Sequence, residues 1–205
     1  MPRQVTAKLT DALDKHVLGI LKENEKRIKE INTPFNPVKG EGCGDKRFLL
    51  FLPDYPILKQ NLPISMKKIP LVKMLIELGS CKAVIEELHK DIDEPYNEEE
   101  EMEQLVEQFT RIRMKHDPFF FFAVFIYIKP KGGGLPFRFV LRRPQRRLLR
   151  WLEQRRTKNR PIRLILLKAR QWGGSTVIQM YFLWLQLMWQ KGLNSLIVAQ
   201  VKDTA

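Results

Sequence analysis

Lys168, Arg170, Gly173, Gly174, Ser175 and Thr176 crowd into one short run, Lys168-Ala-Arg-Gln-Trp-Gly-Gly-Ser-Thr176. Together they have the parts of a phosphate cradle. Such a cradle needs backbone N–H groups close to phosphate oxygens, one reachable cation, and a hydroxyl for Mg2+. Against G-x-x-x-x-G-K-[ST], Gly173 and Ser175 fall in register with the second glycine and the hydroxyl residue. Lys168 stands where the first glycine would be, and Gly174 where the lysine would be. The chemistry survives both changes if Lys168 or Arg170 reaches the phosphates from the front of the loop. Ser175 then presents its hydroxyl to Mg2+, with Thr176 the neighbouring candidate. Arg170 can equally be structural or a charge sensor, and Trp172 reads as a packing residue.

A loop of this kind works only between a strand and a helix. Residues 162–167 are aliphatic and read as a buried strand feeding the loop. Residues 175–191 read as a helix apolar almost all round, ended by Gly192 and Asn194, and 195–201 as the next strand. That unit should close as a right-handed parallel crossover. The competing reading is a strand–helix turn whose glycines serve tight packing; Lys168 and Arg170 favour phosphate.

A second cue lies upstream, in Phe139-Val-Leu-Arg-Arg-Pro144-Gln145-Arg-Arg-Leu-Leu149. An amide both donates and accepts, which suits it to a purine edge; the alternative for Gln145 is a polar helix residue facing water. With the loop, this segment resembles the large subunit of tailed-phage terminases, the motors that package viral DNA. Several members carry the loop lysine at the front of the motif, as Lys168 is here. Their adenine-recognition segment has a glutamine just after a turn, the place Gln145 takes. The resemblance covers residues 117–205. It implies an ASCE-type P-loop ATPase with ATP and Mg2+ as cofactors, and Gln145, Lys168, Arg170, Gly173, Gly174, Ser175 and Thr176 about the nucleotide. It also implies double-stranded DNA, portal protein and the terminase small subunit as partners, in the cytoplasm of a bacterial host. The family's C-terminal nuclease has no residues here to carry it.

Charge is unevenly spread. The net charge is +13, yet residues 138–170 hold thirteen Lys/Arg against one acid, Glu153, and residues 86–107 hold eleven acids against Lys90. A chain so divided meets a polyanion with one face, unless the basic run is only a solvated helix surface. Arg142, Arg143, Arg146, Arg147 and Arg150 would track phosphate, of ATP or of DNA. At 205 residues and 44% hydrophobic, the chain can bury a core. The first 18 residues carry charges throughout and form no signal peptide, and no apolar run is long enough to span a bilayer. Cys43 and Cys81 give neither metal spacing nor a disulfide framework, and a reducing compartment is the simplest reading. His16, His89 and His116 match no catalytic constellation.

The expected fold class is α/β: an incomplete P-loop core, 117–205, preceded by a mainly helical accessory region, 1–116. Helices are expected over 5–31, 71–88 (with Gly79 a candidate break), 96–116 and 144–156. A strand is expected at 47–52, a buried strand over 119–129, and a partner over 136–141 making a hairpin. The only acid after the loop, Asp203, is a poor Walker B match, so the chain alone should not hydrolyse ATP usefully; the expectation is a fragment, such as a prophage remnant or partial gene. Two alternatives stand beside this one: a nucleic-acid-binding module whose loop holds backbone phosphate, and another helicase-like P-loop ATPase.

Overall fold

Helices joined by two small antiparallel ladders make up the described chain, a mixed α/β fold that is mostly helical. The computed structural model describes all residues except 1, 37, 39–41, 43–45, 93–94, 130–136, 139–140, 168–171, 191, 193 and 195–205, with backbone alone for 2–13 and 137–138. The chain divides into two compact units, Met1–Phe125 and Ile126–Ala205. No described helix is long and apolar enough to cross a membrane.

The first unit holds α1 (Pro2–Ile31), the ladder β1 (Arg47–Phe51) with β2 (Lys59–Pro63), and α2 (Pro70–Leu78). It continues with α3 (Cys81–His89), α4 (Glu98–His116) and α5 (Pro118–Phe125). Gly79 splits the expected 71–88 helix: at φ +73 it takes the left-handed turn that caps α2, and its N–H bonds the Leu75 carbonyl at 3.1 Å. Ser80 then starts α3, its Oγ accepting from the Ala83 N–H. Four glutamates open α4, and Arg113, Lys115 and His116 close it, as the helix dipole favours. Leu52, Leu62, Met66, Leu75, Val84 and Phe109 pack as the core.

The strand expected over 119–129 is not what forms. Residues 118–125 are α5, and only Tyr127–Ile128 is strand. Asp117 explains the difference. Its carboxylate accepts the Phe120 N–H and its carbonyl the Phe121 N–H, while Pro118 suits a first turn. The resulting helix packs against α1 and α4, with Phe120 and Val124 meeting Ile31. The local cap and this packing together account for a helix where the periodicity of an apolar run gives no answer.

The second unit contains β3 (Tyr127–Ile128), β4 (Phe137–Arg138), α6 (Arg143–Thr157) and α7 (Gly174–Met188). The expected hairpin forms with two residues on each side, Tyr127 opposite Arg138 and Ile128 opposite Phe137. Pro144 sits in the first turn of α6. Leu148, Leu149 and Leu152 of α6 are buried, as are Val177, Tyr181 and Trp184 of α7, one stripe on each helix. The other side of α7 is more open, with Leu187 56% exposed, so the helix is not covered all round.

The expected strand 162–167 is a second departure. It has no regular structure, and Ile165 and Leu167 are 92% and 96% exposed. A strand exists only when a neighbour takes its hydrogen bonds, and among the described residues none flanks this segment. No parallel pair occurs among the described residues, and the strand expected at 195–201 lies outside them.

Candidate nucleotide site

Gln145 occupies the third position of α6 and is buried. Its Oε1 accepts the Arg142 N–H at 2.8 Å, the return half of a capping box. Its Nε2 donates to the carbonyl oxygens of Trp172 at 3.1 Å and Gly173 at 3.4 Å. The two motifs singled out in the sequence therefore meet. Both amide hydrogens and one Oε1 lone pair are engaged within the fold, so Gln145 faces the loop rather than water.

Gly173 is glycine for two reasons. Its φ of +76 lies in the left-handed region, and an added Cβ would stand 2.7 Å from the Gln145 Nε2. As N-cap of α7 it offers no side chain, and no acid lies in the first turn. The leading N–H groups of the helix keep their positive end uncapped by side chains. Gly174 is buried, Thr176 half-buried and Ser175 exposed, which makes Ser175 the accessible hydroxyl. Lys168 and Arg170 lie outside the described residues.

These donors fit a phosphate group: helix N–H groups without a side-chain cap, an exposed hydroxyl, and no competing carboxylate in the turn. Among the described residues no group of three or more His, Cys, Asp or Glu could hold a metal.

The two helices around the loop are locked by a cluster that sequence reading missed. Glu153 pairs with Arg156 through two 2.8 Å contacts and accepts the Tyr181 hydroxyl at 2.8 Å. Arg156 in turn lies over the rings of Trp189, at 4.1 Å, and Trp184, at 5.2 Å. Burial, reinforced by the Glu153 charge, pushes the Tyr181 hydroxyl well above the usual phenol range. Burial works against the charge on Arg156, but Glu153 outweighs it and holds Arg156 above its usual value. The available signal was Glu153 itself, the lone acid of a basic segment.

Beside the loop lies a cleft of about 480 Å3, walled by Arg147, Leu148 and Trp151 of α6, by Leu164 and Leu166, and by Trp172. Along α6, Arg142, Arg143 and Arg147 are exposed, while Arg146 and Arg150 are half-buried.

The first unit carries a buried polar network that no motif announced. Arg113 donates to Gln60 Oε1 at 2.5 Å, Asn32 Oδ1 at 2.8 Å and the Asn61 carbonyl at 3.2 Å. Asp117 pairs with Arg47 through both oxygens, and its Oδ2 lies 3.6 Å from the Arg113 Nε. Arg113 also stacks on Phe120, 4.2 Å from the ring centroid. This joins the segment just after α1 to β1, β2, α4 and α5 in one polar network. His16, His89 and His116 are dispersed over α1, α3 and α4, without a common site. No family model, no curated protein and no solved structure matches this chain.

Proposed function

We propose that this chain forms the nucleotide-binding opening of a viral DNA-packaging motor of the terminase large-subunit type, holding ATP and Mg2+ at the 168–176 loop. One observation carries the reading. Gln145 ties the upstream motif to Trp172 and Gly173, directly at an α7 N-terminus that no side chain caps. The leading N–H groups of α7 would receive phosphate oxygens, Lys168 would supply the cation, and Ser175 the hydroxyl toward Mg2+. Bound Mg2+ would neutralise charge on the β- and γ-oxygens. In the full motor this site would drive translocation of double-stranded DNA, with portal protein and small subunit as partners. The P-loop core itself belongs to this proposal, since 162–167 is unpaired among the described residues.

Calorimetric titration of the folded chain with Mg2+-ATP tests it. Saturable heat that Lys168→Ala removes is expected; a folded chain giving none at millimolar nucleotide would refute the site. At a hundredfold excess over Kd, bound nucleotide should stabilise the chain by about 2.7 kcal/mol.

A second reading is a nucleic-acid module using the exposed arginines of α6, Arg142, Arg143 and Arg147. Salt-dependent DNA binding indifferent to ATP and to Lys168→Ala would favour it.

A further inference from the structure

We infer that the nucleobase is held by stacking in the cleft walled by Trp151 and Trp172, with Arg147 at its edge, and that Gln145 positions the loop instead of reading the base. This rests on the proposed nucleotide reading and names the part of the ligand beyond the phosphates.

Three observations support it. The first is that Gln145 has spent its donors: Nε2 is hydrogen-bonded to the Trp172 and Gly173 carbonyls, and Oε1 already accepts the Arg142 N–H. An amide so engaged keeps a single lone pair, too little to read a purine edge by paired donor and acceptor. The second is the chemistry of the cleft. Two tryptophans and several leucines line about 480 Å3, within the range of small-molecule sites, and Arg147 is the charged residue among its walls. Indole faces with a neighbouring guanidinium suit a flat, electron-rich ring attached to an anion. Arg155 also lies over the Trp151 ring, 5.2 Å from its centroid, which restrains that wall.

The third is continuity. Trp172 directly precedes Gly173, the N-cap of α7, so one cleft wall and the phosphate donors belong to consecutive residues. A ligand with its phosphates at the helix start would therefore have a wall of this cleft one residue away. Stacking accepts any base face, whereas edge reading discriminates, so ATP and GTP should bind with similar affinity.

The experiment compares Mg2+-ATP, Mg2+-GTP, Mg2+-tripolyphosphate and adenosine by calorimetry on the 205-residue chain. It uses the native sequence, Trp151→Leu, Trp172→Leu and Gln145→Glu. Native chain should prefer ATP over tripolyphosphate, and each tryptophan variant should weaken ATP by about tenfold while leaving tripolyphosphate unchanged. Gln145→Glu keeps the acceptor and loses the Nε2 donors. It should weaken ATP and tripolyphosphate by the same factor, leaving their ratio at the native value. Equal affinity for ATP and tripolyphosphate in native chain would overturn the base pocket while leaving the phosphate loop standing. Adenosine bound without tripolyphosphate would leave the pocket and sink the phosphate loop. Binding of neither would sink both. A change in the ATP-to-tripolyphosphate ratio in Gln145→Glu, or strong preference for ATP over GTP, would return base reading to Gln145. A single-stranded oligonucleotide that needs both tryptophans while ATP does not would reassign the cleft to nucleic acid.

Discussion

Gln145 and Gly173 lock each other in place: the amide Nε2 reaches the Gly173 carbonyl at 3.4 Å, and a Cβ on residue 173 would come within 2.7 Å of that nitrogen. The small residue makes room for the amide, and the amide fixes the turn from which α7 starts. Helix α6 thereby holds the turn at Trp172 and Gly173 from which α7 starts.

Gly173→Ala and Gln145→Ala should each destabilise the second unit, and not additively. Gly173→Ala meets both a left-handed backbone and the amide, costing roughly 1–3 kcal/mol. Gln145→Ala removes three hydrogen bonds and leaves their partners to find others, at a cost of about 1–3 kcal/mol. In the double variant the Cβ clash disappears, so its cost should fall short of the sum. Denaturant unfolding followed by tryptophan fluorescence measures the coupling, and strict additivity would mean the two residues do not touch.

Lys168→Ala should weaken nucleotide binding more than Gly174→Ala, because the cation stands at the front of the motif. Gly174 is buried at the start of α7, so its alanine variant is to be compared at matched folded fraction. A reversed ranking with both variants folded would remove Lys168 from the site. Gly174→Lys would show whether the usual lysine position serves as well.

DNA binding, where it occurs, should follow the exposed arginines of α6. Each phosphate neutralised contributes a slope of about −0.9 in log K against log salt on duplex DNA. Arg143→Glu with Arg147→Glu should flatten the slope by about two units. Arg143→Glu places an acid in the first helical turn, so lost binding would not reflect a weakened helix. An unchanged slope would make this an ordinary solvated face.

Asp54 supplies a pH-dependent contribution in the first unit. Its Oδ1 and Oδ2 accept the N–H groups of Cys81 and Lys82 at 2.9 and 2.8 Å, at the start of α3. Burial raises its pKa, but the hydrogen bonds from the Cys81 and Lys82 N–H groups, with those from its own N–H and the Cys81 side chain, together outweigh burial and hold the carboxyl below its ordinary value of 3.8. A carboxylate with a lowered folded pKa stabilises above its unfolded value and loses that contribution as pH falls through the folded one. Asp54→Asn should therefore cost about 1 kcal/mol near neutral pH, and the difference should vanish only below pH ~4. Thermal melts at pH 7 and at acid pH give the comparison. Burial and the same Asp54 charge push the Cys81 thiol up to about 12, so native Cys81 should resist alkylation at pH 8 until the unit unfolds.

Asp117→Asn should be among the most damaging changes in the first unit. It would leave the buried Arg113 and the largely buried Arg47 without their carboxylate, a loss of roughly 3–5 kcal/mol. The N-cap of α5 would survive in part, because an asparagine oxygen can still accept the Phe120 N–H. Circular dichroism should show a lower melting temperature with helix content retained. An unchanged melt would mean that the ion pairs contribute nothing net.

The sequence by itself determined the elements whose instructions are local. Apolar spacing and capping residues placed α1, α4, α6 and α7 within a few residues of their ends, and Gly79 broke the 71–88 pattern where its missing Cβ allows a left-handed turn. The loop pattern singled out the glycines 173 and 174, and the resemblance to terminases singled out Gln145. Periodicity could not assign 118–125, because a continuous phenylalanine run has no period; the Asp117 cap and Pro118 are its local helix signals, and packing against α1 and α4 supports them. Only the tertiary structure showed 162–167 without a strand partner among the described residues and brought Gln145 onto the carbonyls of Trp172 and Gly173. Helix periodicity and caps act over one or two turns. Strand pairing, buried ion pairs and the meeting of two motifs depend on partners far along the chain, where spacing alone carries no distance.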